Sequence, residues 1–106
     1  MTREIVFSPE ALADLLSLYD YVADQSGESC AVAYITRIEA YCAGFAEFPE
    51  RGMRRDELRE GLRVVGFERR VTIAFHVEPD RVVFDRILYG GRNMEGAIAQ
   101  PDRDMT

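Results

Sequence analysis

The sequence predicts an α+β domain: an N-terminal strand, an antiparallel α-helical hairpin, and an antiparallel β-sheet on which the hairpin packs, in the order β-α-α-β-β-β with a short C-terminal helix after it. Three observations carry this. Apolar residues recur every three or four positions through the first half, they alternate with polar ones from Leu62 to Tyr89, and the short polar stretch Gln25-Ser26-Gly27 divides the helical half in two. A chain of 106 residues is the size of one domain with a modest core, here placed over residues 1–100 with a disordered acidic tail at 101–106.

Thr2 to Ser8 alternates weakly and reads as a short or edge strand. Ser8-Pro9-Glu10 then starts a helix, with serine as N-cap, proline at the first helical position and an acid in the first turn. On a helical wheel Leu12, Leu15, Leu16, Tyr19, Val22 and Ala23 form the apolar side, opposite Glu10, Asp14, Ser17 and Asp24. The turn near Ser26-Gly27 ends it. Glu28 to Phe48 makes the second helix, with Tyr34, Ile38, Tyr41, Phe45 and Phe48 as a core stripe flanked by Ile35 and Cys42. A short turn between two such helices implies an antiparallel pair.

Pro49 to Glu60 is polar and aperiodic, with one helical turn expected around Asp56 to Leu58. Leu62–Phe67, Arg70–Val77 and Arg81–Tyr89 follow as a meander. In the middle strand Val71, Ile73, Phe75 and Val77 share one face and Arg70, Thr72, Ala74 and His76 the other. Glu78-Pro79-Asp80 supplies a hairpin turn, Gly90-Gly91 ends the last strand, and Asn93 to Ala99 has the makings of a short helix.

Composition excludes several classes. No apolar run approaches the roughly 20 residues that span a bilayer, and the N-terminus lacks a signal-peptide core, so a cytoplasmic location without membrane contact is expected. One histidine and two cysteines make no zinc set. Cys30 and Cys42 fall on one helix about 18 Å apart by helical rise, too far to bridge, and read as buried or half-buried thiols. No cofactor motif is present: Gly90-Gly91-Arg92 is a turn without the rest of a phosphate loop.

Charge is uneven. All 13 basic residues are arginine and the net charge is −6. Residues 1–50 hold Arg3 and Arg37 against nine acids, a balance of −7, whereas residues 51–70 hold seven arginines against four acids, a balance of +3. That split disfavours general or sequence-specific nucleic-acid binding and suits a protein partner. The arginines lie on or beside strands, where their planar forks receive carboxylates or phosphates. Arg63, Arg70, His76, Arg86 and Arg92 are the candidates for partner contacts. Arg86 shares the parity of Val82, Phe84 and Leu88, which equally fits an internal salt bridge. His76 has no nucleophile turn near it in sequence, and no catalytic residue is assigned.

The ordered pieces Ser8-Pro9-Glu10-Ala11 with Asp14-Leu15, Phe48-Pro49 with Arg51-Gly52, Gly61-Leu62-Arg63, Arg69-Arg70, and Arg86-Ile87-Leu88 with Gly91-Arg92-Asn93 resemble the ParE branch of the RelE/ParE toxins of bacterial toxin–antitoxin pairs. The resemblance spans nearly the whole chain. It implies a helical hairpin against an antiparallel sheet, and a cognate ParD-like antitoxin that wraps the toxin with an extended C-terminal segment. It also brings two competing activities. RelE-like members cut messenger RNA on the ribosome with basic strand residues, an arginine after the last strand and a tyrosine on the final helix. This sequence keeps Arg63 and Arg92 but has Thr72 and Ile98 at the other two places, leaving Tyr89, His76, Glu57 or Glu60 as substitutes. ParE-like members are non-enzymatic binders that poison DNA gyrase, the activity that the resemblance favours here.

Overall fold

The computed structural model describes residues 2–90. Strand β1 (Glu4–Phe7) leads into helix α1 (Pro9–Ser26) and helix α2 (Glu28–Ala43), followed by a 3₁₀ turn at Gly44–Ala46. Strands β2 (Met53–Arg54), β3 (Arg63–Phe67), β4 (Val71–Val77) and β5 (Arg81–Tyr89) complete one five-stranded sheet in the order β1-β5-β4-β3-β2. The domain is thus α+β, as expected, with two differences in the sheet. β1 runs parallel to β5, which makes the sheet mixed, and the linker contributes the two-residue edge strand β2. Residues 56–61 form turns before β3. The expected C-terminal helix, the tail and Arg92 lie outside the described residues.

Local chemistry sets the helix ends. Ser8 accepts from the Ala11 N–H at 3.0 Å and donates to the Asp85 carbonyl at 2.9 Å, so one hydroxyl caps α1 and ties it to β5. Gly27 alone joins the helices, with φ +96 and ψ 162, a conformation open essentially to glycine. The second helix stops short of Phe48. Pro49 disfavours helical geometry at the residue before it, and Arg51 takes over the terminal carbonyls. Its guanidinium donates to Gly44 O at 3.1 Å and Phe48 O at 2.8 Å while lying 4.4 Å over the Phe45 ring. Phe45 is fully buried and Phe48 is 68% exposed, so the aromatic stripe ends at the 3₁₀ turn.

The main core lies between the hairpin and one face of the sheet. Leu15, Leu18, Ile38, Cys42 and Phe45 pack on Val71, Ile73, Phe75, Val82, Phe84 and Ile87. Phe45 meets Phe75 and Phe84 edge-on at 5.0 and 5.5 Å between ring centres. On α1 the buried stripe is Ala11, Leu15 and Leu18, leaving Leu12 and Leu16 exposed. The wheel placed both leucines inside; a helix lying on a sheet covers a narrower arc than its apolar side offers. A smaller cluster of Leu62, Ala74 and Leu88, with Leu58 and Val64, occupies the other face under the turns that precede β3.

A bulge explains how β5 serves both faces. The β4–β5 register shifts between Ala74 and Phe75, so Ala74 pairs with Arg86 but Phe75 with Phe84. Val82 and Phe84 therefore face the hairpin together with Ile87, and Leu88 faces the opposite side. The simple parity that grouped Arg86 and Leu88 with Val82 and Phe84 fails at this point. Asp14 of α1 holds the bulge, accepting the Ile87 N–H at 2.8 Å and both arms of Arg86 at 2.8 and 2.9 Å.

The β3–β4 hairpin is unusual in another way. Its two central residues, Glu68 and Arg69, have φ +50 and +65 without a glycine. Such a turn matches strand twist but costs L-residues roughly 1–2 kcal/mol each. A bidentate pair between Glu68 and Arg37 of α2, at 2.9 and 3.0 Å, braces it.

Candidate functional site

The candidate residues are distributed over separate parts of the sheet. Arg63 opens β3, half-buried, and pairs across the ladder with Phe75, whose side chain faces the hairpin. Its Nη1 donates to the Arg51 carbonyl at 3.3 Å. Around it lies an open cleft of about 490 Å³ that also includes Arg3, Arg54, Glu50 and Glu78. This is the end of the sheet where β4 turns into β5.

His76 lies on the sheet face away from the hairpin. Its Nδ1 is 2.8 Å from Asp85 Oδ2 and its Nε2 is 3.0 Å from Glu78 Oε2. Protonated on both nitrogens the ring donates to both carboxylates; the neutral ring donates to one. The array extends at each end, with Arg59 2.8 Å from Asp85 and Arg81 2.6 Å from Glu78. Arg81 first, and His76 second, hold the Glu78 carboxyl below the usual carboxylate range. The carboxylates that meet His76 are therefore Asp85 and Glu78 and not Glu57, which pairs with Arg55. Sequence distance hid Asp85, because only the β4–β5 register brings it beside the ring.

Arg70 stands at the opposite end. It precedes β4, five strand positions from the residue that pairs with Arg63, which separates the two arginines by roughly 17 Å. It is exposed and donates to the Tyr89 hydroxyl at 3.3 Å, an interaction that raises its already high pKa. Beside it a groove of about 390 Å³ opens between the hairpin and the β3–β4 turn, lined among others by Val22, Cys30, Tyr34, Arg37, Glu68 and Tyr89. Hydrogen bonding to Arg37 lowers the Glu68 carboxyl, and burial pushes the Tyr34 hydroxyl up. The sequence reading takes Tyr34 as a core residue, and Arg37 and the Glu68-Arg69 turn are not among its candidates. The loop between the paired Phe67 and Val71 holds no glycine, so the residue types conceal its left-handed geometry.

Arg86 does not share a surface with the others. Its guanidinium is engaged by Asp14 inside the hairpin–sheet junction, with side-chain exposures of 24% and 10%. The partner is on α1, not across the ladder. Thr72, where a resemblance to the ribonuclease branch calls for an arginine, lies on β4 opposite Leu88 and half-buried. Of the thiols, Cys42 is buried and its pKa is pushed up to about 12 by burial, while Cys30 is exposed on the groove, contrary to the expectation of two sheltered thiols. Among the described residues no group of three or more His, Cys, Asp or Glu side chains is placed to hold a metal ion, and no helix is long and apolar enough to cross a membrane.

Among curated proteins none matches the sequence. Among solved structures, the fold is similar to a chain of the chromosomal ParDE TA system from P. aeruginosa, with a TM-score of 0.73 and 21% identity over 84% of this chain and 97% of that one. The family model described as ParE toxin of type II toxin–antitoxin system, parDE, matches residues 5–94, which covers the hairpin, all of the sheet but Glu4, and Arg92. A helical hairpin on a mixed sheet, in this element order and with this family match, establishes that the chain belongs to the ParE toxin family of type II toxin–antitoxin systems.

Proposed function

We propose that this toxin acts without catalysis by binding and inhibiting DNA gyrase in the cytoplasm, and that a cognate ParD-like antitoxin neutralises it. The observation that carries the reading is the dispersal of the basic groups. Cleaving a phosphodiester requires charge-stabilising and proton-transfer groups to converge within a few ångströms of one phosphate. Arg63 and Arg70 are instead held at opposite ends of the sheet, roughly 17 Å apart along the strand. Arg86 is committed to Asp14, and Thr72 replaces a strand arginine. Binding a large protein surface makes no such demand, and arginines spread over one molecule suit it.

One observation favours a RelE-like ribosome-dependent mRNA endonuclease as the second reading: His76 sits between two carboxylates with arginines at both ends. Inducing the protein alone in a bacterial host, and pulse-labelling DNA and protein synthesis separately over the first minutes, tests one against the other. An early fall in DNA synthesis with translation persisting, matched by loss of supercoiling by purified gyrase, is the expected result. An immediate fall in translation with cut transcripts, abolished by His76→Ala, would replace the gyrase reading with the nuclease.

A further inference from the structure

Helix α1 carries two apolar lines, and only one of them enters the core. Ala11, Leu15 and Leu18 are buried, whereas Leu12 is 51% and Leu16 69% exposed, and half-buried Tyr19 continues their line. Asp14, Ser17 and Tyr21 line a cavity against the end of β5, and the line of Leu12, Leu16 and Tyr19 lies roughly 160° around the helix from them. On α2, Val32 is 53% exposed and lies roughly 150° from Cys30, Ala33, Tyr34 and Arg37, which face the groove beside Arg70. Each exposed line is thus turned the same way, by about 100°, from the buried line of its own helix, and in an antiparallel pair such flanks face each other. Leu12, Leu16, Tyr19 and Val32 therefore border the outer seam of the hairpin, on the side that neither the groove nor the sheet occupies.

The borders of this seam are acidic. Asp20 follows Leu16 by one helical turn and Glu39 follows Val32 by two, while Asp24 and Glu28 stand at the hairpin tip, all of them exposed. The one basic residue of the hairpin, Arg37, is on the groove side and is held by both oxygens of Glu68. We infer that the outer seam is a docking surface for a basic amphipathic helix of a partner protein, a site separate from the groove beside Arg70 and from the arginines of the sheet. Apolar side chains of that helix lie along Leu12, Leu16 and Val32, and its lysine or arginine stems cover the margins while their heads reach Asp20 and Glu39. Charge selects this occupant. A second copy bound through the same face sets carboxylates against carboxylates, and a nucleic acid or an anionic lipid surface meets the same repulsion. The inference does not depend on which enzyme the toxin inhibits.

The probe is a synthetic helical peptide of about 18 residues, with leucines at spacings of three and four and lysines on both flanks, beside a control that has glutamate in place of every lysine. Binding to the isotope-labelled full chain is followed by amide shifts and by fluorescence anisotropy. The lysine peptide is expected to bind the wild type with a Kd below about 100 μM, shifting amides along Leu12 to Ala23 and Val32 to Glu39, and the glutamate peptide to bind at least about tenfold more weakly. Leu12→Ser/Leu16→Ser is expected to weaken the lysine peptide about tenfold. Asp20→Asn/Glu39→Gln should cost about fivefold at low ionic strength, a loss that fades as salt is added. Arg69→Gln, in the β3–β4 turn, leaves affinity within about twofold. Thermal melts establish that each variant is folded, and Leu16→Ser alone, about threefold weaker, decides the matter if the double variant is not. Equal binding of the two peptides, no binding of either, unchanged affinity in the seam variants, or shifts centred on Tyr34, Arg70 and Tyr89 would each overturn the inference. So would a dimer of the chain alone, seen by sedimentation, that Leu12→Ser/Leu16→Ser dissolves, because the seam would then belong to a second copy.

Discussion

Asp14 does the work of three residues. One carboxylate accepts the backbone N–H that the β5 bulge frees, balances the Arg86 guanidinium and joins α1 to the sheet. Removing it strands a half-buried arginine and an N–H together, which costs more than the loss of an exposed ion pair. Asp14→Ala is therefore expected to lower the unfolding free energy by about 3 kcal/mol in urea titrations. Adding Arg86→Met to that variant should recover part of it, because no orphaned charge is left. A loss below about 1 kcal/mol for Asp14→Ala would mean that water serves the arginine equally well. The sequence placed Asp14 on the solvent side of its helix and grouped Arg86 with Val82, Phe84 and Leu88. Both assignments followed from periodicity, and a bulge is where periodicity stops reporting direction.

The elements were legible where a local signal marks them. The Ser8-Pro9 helix start, the Gly27 break and the three long strands each follow from residues within one turn of the boundary. The two-residue strand β2 was not legible, since Met53 and Arg54 have no alternation to display and gain their strand geometry from pairing with Val64 and Arg63. Gly52 is what admits that pairing. It has φ +77, and a Cβ there would sit 2.4 Å from the Val64 carbonyl oxygen and from a Val65 methyl carbon. Neither atom can retreat without opening the β2–β3 edge. Gly52→Ala should destabilise the fold by about 2 kcal/mol and raise amide exchange at the edge before it does so in β4 or β5. Uniform exchange across the sheet would show that the edge and the core open together. Gly27→Ala provides the contrast, because nothing lies within 4 Å of its added carbon and only backbone strain is at stake.

At the scale of the molecule, exposed charge pairs brace the segments that join the core elements. Glu68 and Glu78 both have carboxyls held below their ordinary value, by Arg37 and by Arg81. A group depressed in the folded state stabilises it above the unfolded pKa of about 4.3, and that contribution fades as pH falls through the folded value. Thermal stability is thus expected to be level between about pH 6 and 8 and to decline below about pH 4.5. Glu68→Gln should flatten part of the decline and leave the level region's shape unchanged. An identical acid limb in the variant would place the proton uptake elsewhere. What sequence patterns could not reveal at this scale is adjacency. Alternation identifies a strand and its faces but not its neighbours, so the parallel pairing of Glu4 with Arg81 and the meeting of His76 with Asp85 emerge only from the assembled sheet. That same pairing governs when the molecule exists at all. Among the described residues β5 is the last strand to be translated, yet it lies inside the sheet between β1 and β4. Until it emerges, β1 has no neighbour, the hairpin has half a floor, and the chain on the ribosome has no finished surface to present. Contacts so distant in sequence also form slowly. A chain built in this order completes its sheet only once β5 has left the ribosome, so every surface that the sheet carries appears together and late.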